Sequence, residues 1–297
     1  MAATPSHAYE PGSSRDAKIG RVARRGVLYT TAIFFAVFAA LPFAWMIFTV
    51  FKTNQDLYNG QNVPFKYQDG SPTLDNIRLL WNQTNYPTFL SNTIIVSICV
   101  VIITLLVAVP AAYSLTRLTG RWGENMGIAI FLVYLIPPTL LFIPMTRVVA
   151  EIGLKNSMFS MVVVYPTFTI PFCTWLMMGF FKSVPWDIEE QAMIDGYSRL
   201  GAIWRAVIPI SIPGLLTVIV FSVALTLHEF VYALAFVTSS SEKPVSTGVT
   251  TELIRGDVFF WQSLMASAAI VAIPVALLYT VFLDRFVAGF TLGAVKG

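Results

Sequence analysis

Charged residues are scarce in this 297-residue chain. Asp, Glu, Lys and Arg make up only 12% of it, whereas hydrophobic residues make up 56%. The charged share is roughly half of that in a typical soluble domain. So few charges cannot solvate a water-facing surface, which argues against a soluble enzyme and against a nucleic-acid-binding protein. The composition therefore predicts an integral membrane protein.

Cysteine and histidine are also rare, with two residues of each. Cys99 and Cys173 both lie inside apolar runs, which argues against a disulfide framework and against a zinc site. Two histidines cannot form the clustered metal or acid–base site that a membrane-embedded enzyme needs. The chain also has no G-x-x-x-x-G-K-[ST] phosphate loop, so it is not predicted to hydrolyse ATP. We therefore predict no catalytic, cofactor-binding or metal-binding residues.

Long apolar runs are what the chain has in abundance. A membrane-spanning helix needs about 20 predominantly apolar residues. Six runs meet this requirement, at about residues 27–51, 90–114, 125–148, 157–181, 209–236 and 260–283. The predicted fold class is therefore all-α, with six transmembrane helices. Prolines within or beside these runs predict kinked helices, because proline cannot donate a backbone hydrogen bond.

The distribution of lysine and arginine predicts the orientation. Twelve of the nineteen basic residues fall in the N-terminal tail and in alternate loops, including the last one. Because basic residues favour the cytoplasmic side, both termini are predicted to be cytoplasmic. Residues 1–26 are predicted to be a disordered tail, ahead of a transmembrane domain at 27–297. Residues 52–88 are predicted to be an extracytoplasmic loop with little regular structure.

A cytoplasmic segment between the fourth and fifth predicted helices, residues 183–209, has the pattern of a helix–turn–helix. Pro185 favours a helix start, Gly196 favours a helix end, and Ser198 can cap a second helix. One face of the second helix is apolar, with Leu200, Ile203, Trp204 and Val207. Amphipathic hairpins often simply lie in the membrane interface, and the amphipathic pattern alone leaves that alternative open.

The spacing Glu190-x-Ala192-x3-Gly196-x12-Pro209 resembles the EAA loop of binding-protein-dependent ABC importers. The chain as a whole resembles the smaller membrane subunit of the maltose-permease type of carbohydrate importers. Gln191 departs from the family pattern, which more often has alanine there. Three further segments carry the same resemblance: Asn92-Thr93, Ala111-Ala112-Tyr113 with Arg117, and the C-terminal 287–297.

This resemblance implies a permease subunit of the bacterial inner membrane that imports a sugar. The implied partners are a second permease subunit, a dimer of cytosolic ATP-binding subunits, and an extracytoplasmic solute-binding protein that contacts the loop at about 238–257. The residues implied to dock the ATPase are Glu190, Ala192, Asp195, Gly196, Tyr197, Ser198 and Arg199.

His228 and Glu229 stand out because they interrupt the fifth predicted helix. A carboxylate inside a span is costly and usually faces a cavity or a partner. One interpretation places both residues on the sugar pathway, and the other gives Glu229 a structural hydrogen bond. A secondary active transporter of a small polar solute is the alternative function, although such proteins carry ionisable residues in several spans.

Overall fold

The computed structural model describes residues 14–255 and 258–294, and helices account for most of this part of the chain. The chain divides into two compact units, the first ending at Thr73 and the second beginning at Leu74. The only strands in the described ranges are the two-residue pair β1 (Ile254–Arg255) and β2 (Val258–Phe259), which are antiparallel. The all-α fold class is therefore confirmed.

The first unit contains α1 (Ser14–Val50) and α2 (Asn54–Tyr58). Helix α1 begins well before the predicted span, so residues 14–26 are helical in a stretch for which the sequence predicted disorder. This stretch is rich in alanine, lysine and arginine, which are strong helix formers and allow the span to continue as one helix. The remaining part of the predicted tail, residues 1–13, lies outside the described residues.

The connection after α1 is ordered around one carboxylate, contrary to the predicted lack of regular structure. Asp56 is almost fully buried and accepts hydrogen bonds from Lys52 Nζ at 3.2 Å, from Asn62 Nδ2 at 2.9 Å and from the Gln68 backbone N–H at 3.1 Å. These donors come from both ends of the connection. Asp56 therefore holds together parts of a connection that composition predicted to have little regular structure.

The second unit is a bundle of helices. Its helices are α3 (Asp75–Asn82), α4 (Tyr86–Arg117), α5 (Gly120–Tyr134), α6 (Pro138–Glu151), α7 (Phe159–Val164), α8 (Pro166–Ser183), α9 (Trp186–Ile194), α10 (Arg199–Ala202), a π-helical turn (Ile203–Val207), α11 (Ile208–Ile210), α12 (Ile212–His228), α13 (Val231–Phe236), a 3-10 turn (Ser240–Glu242), α14 (Val245–Leu253) and α15 (Trp261–Ala294).

Helix α4 contributes to both buried cores of this bundle. Val96 and Val100 belong to one core, together with residues of α7 and α13. Ala108 and Ala112 belong to the other, together with residues of α8 and α12. The small and β-branched residues of α4 permit close packing along most of its length. The other elements are thus arranged around α4.

Four helices of the described chain are long and apolar enough to cross a membrane, and the number rises to six if each of two bent helix pairs is one span. The predicted span 125–148 is divided into α5 and α6, which meet at 85°. Pro137 and Pro138 occupy this break, where a residue preceding proline disfavours the helical conformation. The other bent pair consists of Arg199–Ile210 and α12, which meet at 74° close to the start of the predicted span 209–236. This span is divided again where α12 ends at His228 and α13 begins at Val231.

We expect the connection after α1 to lose its order in acid. Burial alone would raise the pKa of Asp56, but hydrogen bonds from the Gln68 backbone and from Ser71, Asn62 and Lys52 outweigh it and lower the pKa from 3.8 to about 2. The pKa of Asp56 is lower in the folded state than in the unfolded state. Its contribution to the stability of the folded state is therefore complete above about pH 4 and is lost as the pH falls towards 2.

Hydrogen–deuterium exchange of residues 53–71, corrected for intrinsic rates, should therefore be faster at pH 3 than at pH 5. The Asp56→Asn variant should exchange rapidly at both values. Asp75→Asn, which changes an exposed carboxylate, is the control and should retain the wild-type dependence. Equal protection of wild type at both pH values would contradict the assignment to Asp56.

Candidate functional site

The segment predicted as a helix–turn–helix forms a hairpin, hereafter the hairpin (residues 185–210). Its first helix, α9, follows Pro185 and ends in a Schellman motif. Gly196 has φ +91°, and its N–H donates to Met193 O at 3.1 Å, while the Tyr197 N–H donates to Ala192 O at 3.2 Å. A side chain at position 196 would force a strained left-handed backbone. The glycine therefore sets the position of the turn.

The second arm begins at Ser198, whose Oγ accepts a hydrogen bond from the Gly201 N–H at 3.2 Å. The arm continues through α10, the π-helical turn and α11. The predicted apolar face is divided: Val207 is buried, whereas Leu200 and Trp204 are 68% and 69% exposed. The π-helical turn explains the difference, because its wider spacing changes which residues share a face.

The turn of the hairpin presents apolar side chains to its surroundings. Ile194 is 84% exposed, and Leu200 and Trp204 are exposed with it. Exposed apolar groups at the end of a rigid hairpin are typical of a surface that a partner covers. The predicted docking residues lie along the same hairpin. All of them are exposed except Ala192, which is half-buried: Glu190, Asp195, Gly196, Tyr197, Ser198 and Arg199.

A buried cluster of polar residues attaches the hairpin to α4. Glu189 is 1% exposed, and its Oε1 accepts a hydrogen bond from the Tyr113 hydroxyl. Its carboxylate also lies 3.9 Å from Arg117 Nε and 3.7 Å from Arg199 Nε. A buried carboxylate is costly unless it is paired. The two arginines and the tyrosine provide that pairing from the end of α4 and from the second arm.

Arg117 extends this cluster to the segment that leads into the hairpin. Its Nη2 donates to Phe181 O at 3.0 Å and to Val184 O at 2.6 Å, and its guanidinium lies 4.3 Å from the centre of the Trp186 ring. The two carbonyls belong to the end of α8 and the residue after it. Arg117 therefore holds the start of the hairpin as well as its first helix.

Sequence analysis did not identify Glu189, and it noted Tyr113 and Arg117 only as part of a resemblance. The sequence separation explains this, because Arg117 and Glu189 are 72 positions apart and no local spacing relates them. The available signal was general: an arginine at the end of an apolar helix requires an anionic or carbonyl partner.

A cavity of about 820 Å³ lies between α4, α12, α14 and α15. Its lining is mostly apolar and includes hydroxyl groups of Thr93, Thr226, Ser246 and Thr250, together with His228. A cavity of this size with a few hydroxyl groups can accommodate a small polar molecule. His228 is thus part of a concave surface.

Glu229, the neighbour of His228, makes structural hydrogen bonds instead. Its Oε1 accepts from the Tyr232 N–H at 2.8 Å, and its Oε2 accepts from the Ala233 N–H at 3.0 Å and from the Tyr165 hydroxyl at 2.7 Å. It therefore caps the first turn of α13. The two residues that sequence analysis considered together make different contacts.

Known proteins resemble this chain over most of its length. The family described as "Binding-protein-dependent transport system inner membrane component" matches residues 17–291. The sulfoquinovosyl glycerol transport system permease protein SmoH of Agrobacterium fabrum is 31% identical over 86% of this chain and 88% of its own. The trehalose/maltose transport system permease protein MalG of Thermococcus litoralis is 28% identical over 93% and 98%. The diacetylchitobiose uptake system permease protein DasC of Streptomyces coelicolor is 26% identical over 90% and 95%.

Solved structures show the same fold. A chain of a bacterial ABC transporter for import of the acidic polysaccharide alginate superposes with a TM-score of 0.74 and 20% identity, covering 93% of this chain and 100% of that one. A chain of an alginate ABC transporter in complex with a pentasaccharide-bound periplasmic protein has a TM-score of 0.63 and 14% identity, covering 91% and 94%. With a family match that spans almost the whole sequence, the chain belongs to the inner membrane components of binding-protein-dependent transport systems.

Proposed function

We propose that this protein is a permease subunit of an ATP-driven sugar importer and forms half of its translocation pathway. The observation that carries the proposal is the hairpin, which has a glycine-defined turn, an exposed apolar end and a buried ionic attachment to α4. Three relatives that match most of the chain are named as permeases for sugars or sugar derivatives. We infer the class of substrate from these relatives, and we infer how transport is coupled to ATP hydrolysis from the hairpin.

The energy for transport reaches the protein through the hairpin. Because the sequence contains no phosphate loop, ATP hydrolysis is assigned to a partner, a dimer of ATP-binding subunits. The exposed end of the hairpin inserts into a groove of that partner. Glu190 and Arg199 provide charges there, and Gly196 maintains the turn. In this arrangement the termini and the hairpin are cytoplasmic, in agreement with the distribution of basic residues.

Movement of the hairpin reaches the bundle through Glu189. The carboxylate contacts Tyr113 and Arg117 on α4 and Arg199 on the second arm. Both hairpin arms and the end of a membrane helix are thus connected at one buried point. When the ATPase subunits move the hairpin, α4 moves with it.

The cavity forms this subunit's side of the translocation pathway, and a second permease subunit provides the other side. His228 lies on the cavity wall, so we assign it to the pathway. Glu229 supports the pathway indirectly, because it caps α13 and contacts Tyr165, which also lines the cavity. A solute-binding protein delivers the sugar from the opposite side of the membrane.

The test of this function is reconstitution with and without partners. The complex with a second permease subunit, an ATPase and a binding protein should hydrolyse ATP faster when binding protein and a transported sugar are added. A suitable panel contains trehalose, maltose, diacetylchitobiose and sulfoquinovosyl glycerol. The isolated chain should neither hydrolyse ATP nor transport sugar. Uptake by the isolated chain, driven by a proton or sodium gradient, would contradict the proposal and support a secondary transporter.

The Gly196→Val substitution should uncouple ATP hydrolysis from transport. Valine is strained at φ +91°, so the turn must reorganise, and sugar uptake per ATP hydrolysed should fall by about tenfold. The protein should still insert into the membrane. Gly120→Val is the matched control, because Gly120 also has a positive φ and open space around it but lies outside the hairpin. Wild-type uptake by the Gly196→Val complex would refute the coupling role.

The neighbouring substitutions Glu189→Gln and Glu190→Gln should have different effects. Loss of the buried charge at 189 leaves Arg117 without its carboxylate, and breaking such a pair costs about 3–5 kcal/mol of stability. Glu189→Gln should therefore lower the melting temperature of the detergent-purified protein. Glu190→Gln, at an exposed position, should leave the melting temperature unchanged and reduce the coupling of uptake to ATP hydrolysis. Equal melting temperatures for the two variants would contradict the role of Glu189.

A further inference from the structure

The charge of the transported sugar does not follow from the relatives. SmoH is named for sulfoquinovosyl glycerol, which carries a sulfonate, whereas MalG is named for trehalose and maltose, which carry no charge. A translocation pathway must replace part of the hydration of its solute, so the hydrogen-bonding groups on its wall decide which solutes can enter. In this protein those groups lie on the wall of the cavity between α4, α12, α14 and α15.

The cavity wall has no aspartate, glutamate, lysine or arginine among the residues that the structure describes. Glu229 follows the lining residue His228, but its oxygens accept hydrogen bonds from two N–H groups of α13 and from the Tyr165 hydroxyl. An anionic group in the cavity would therefore find no lysine or arginine to pair with.

Most hydroxyl groups of the wall donate their proton within the protein. Five of them donate to a backbone carbonyl three or four residues earlier in the same helix, at 2.8–3.0 Å: Thr93 to Phe89, Thr226 to Ser222, Thr250 to Thr247, Ser267 to Leu264 and Thr280 to Ala276. The Tyr165 hydroxyl donates to the Glu229 carboxylate at 2.7 Å. A carbonyl oxygen can only accept, so the direction of the five helical bonds is unambiguous.

These hydroxyl groups can therefore only accept hydrogen bonds from a solute, because a hydroxyl has a single proton and two lone pairs. The other polar side chains of the wall are those of His228, Ser246 and Tyr279. Even if all three donate to a solute, the side chains of the wall present more acceptors than donors. The wall thus favours solutes that bring their own donors.

We propose that the cavity selects uncharged sugars over anionic ones, with Thr226 and Thr250 as specificity-determining residues. The inference rests on the proposed function, in which this cavity is one side of the translocation pathway. Each hydroxyl of an uncharged sugar brings a proton that the oxygens on the wall can accept. A sulfonate or carboxylate group brings only acceptors, so it would lose hydration and face lone pairs without compensation.

Two pairs of threonines allow a matched test. The double variant Thr226→Val with Thr250→Val removes two acceptors from the wall and keeps side chains of similar shape. The control is Thr217→Val with Thr251→Val, on the same two helices. Thr217 donates to Pro213 O at 2.8 Å and Thr251 to Gly248 O at 2.9 Å, but neither lines the cavity. Both double variants thus lose the same kind of bond within α12 and α14.

The measurement is direct binding of sugars to the complex of this protein with a second permease subunit and the ATPase, in nanodiscs. Solute-binding protein is left out, because its own selectivity would mask that of the cavity. Saturation-transfer difference NMR detects weak binding of this kind. The two ligands are glucosyl glycerol and sulfoquinovosyl glycerol, which differ by a hydroxyl in place of a sulfonate.

Wild type should bind glucosyl glycerol more tightly than sulfoquinovosyl glycerol, by about tenfold or more. Thr226→Val with Thr250→Val should raise the Kd for glucosyl glycerol by about tenfold, on the order expected for the loss of two hydrogen bonds. The control pair should leave that Kd unchanged. The second subunit is the same in every complex, so differences between variants report on this chain. Equal melting temperatures of the two double variants provide the folding control.

Three results would contradict the inference. If wild type binds both sugars equally, the cavity does not select by charge, and loss of sulfoquinovosyl glycerol binding in His228→Gln would assign the sulfonate to the imidazole. If the two double variants have the same Kd for glucosyl glycerol, the hydroxyl groups are not the cause. If wild type binds neither sugar, the inference fails, and the uptake measurement with binding protein still decides the proposed function.

Discussion

Inside a membrane, every backbone polar group needs a hydrogen-bond partner. This requirement limits where the helices of this bundle can be interrupted. Two of the breaks in the described helices illustrate this requirement. After α12, the oxygens of Glu229 accept the N–H groups of Tyr232 and Ala233, which no helical carbonyl satisfies. After α5, the carbonyl of Pro138 accepts the Tyr232 hydroxyl at 2.8 Å. Tyr232 thus connects both breaks, and the Glu229 carboxylate satisfies N–H groups that an unbroken helix would satisfy internally. Glu229, the charged residue that interrupts an apolar run of the sequence, therefore satisfies backbone N–H groups.

The same reasoning applies to the charges beneath the hairpin. Arg117 ends a 32-residue helix and is buried, and it is stabilised by two carbonyl groups, an aromatic ring and the Glu189 carboxylate. Glu189 lies on the first helix of the hairpin and has partners on α4 and on the second arm. Buried ion pairs contribute little net stability, but removal of one member is costly. Arrangements of the hairpin and α4 that separate the pair are therefore disfavoured. The proposed role of the hairpin, which is to transmit movement to α4, requires an attachment that keeps one arrangement more than it requires added stability.

The sequence predicted the apolar helices, the hairpin turn at Gly196 and the cap at Ser198, because each depends on local composition or on one residue's backbone preference. For the span at 125–148 it predicted a proline kink but not the division into two helices at 85°, since hydropathy is the same on both sides of Pro137. It also missed the order that Asp56 gives to its loop. The contacts of Glu189 with Tyr113 and Arg117 could not be predicted, because these partners are distant in sequence and become neighbours only through packing. Ideal helical periodicity predicted one apolar face on the second arm of the hairpin. The π-helical turn at Ile203–Val207 changes which residues share that face.

Helix α4 links the base of the hairpin with the connection between α13 and α14. Near its first turns, Asn92 donates to the carbonyls of Ser241 and Lys243, and Thr93 accepts from the N–H at the start of α14. At its last turns, Tyr113 and Arg117 contact Glu189 at the base of the hairpin. The helix contains 32 residues. At a rise of about 1.5 Å per residue, its length is about 48 Å. Between its ends, Val96, Val100, Ala108 and Ala112 are fully buried in the two cores. A packed helix of this kind cannot stretch, so a displacement at one end must appear at the other or break the contacts along its length. This helix and the side chains at its ends therefore link the hairpin directly with the connection between α13 and α14.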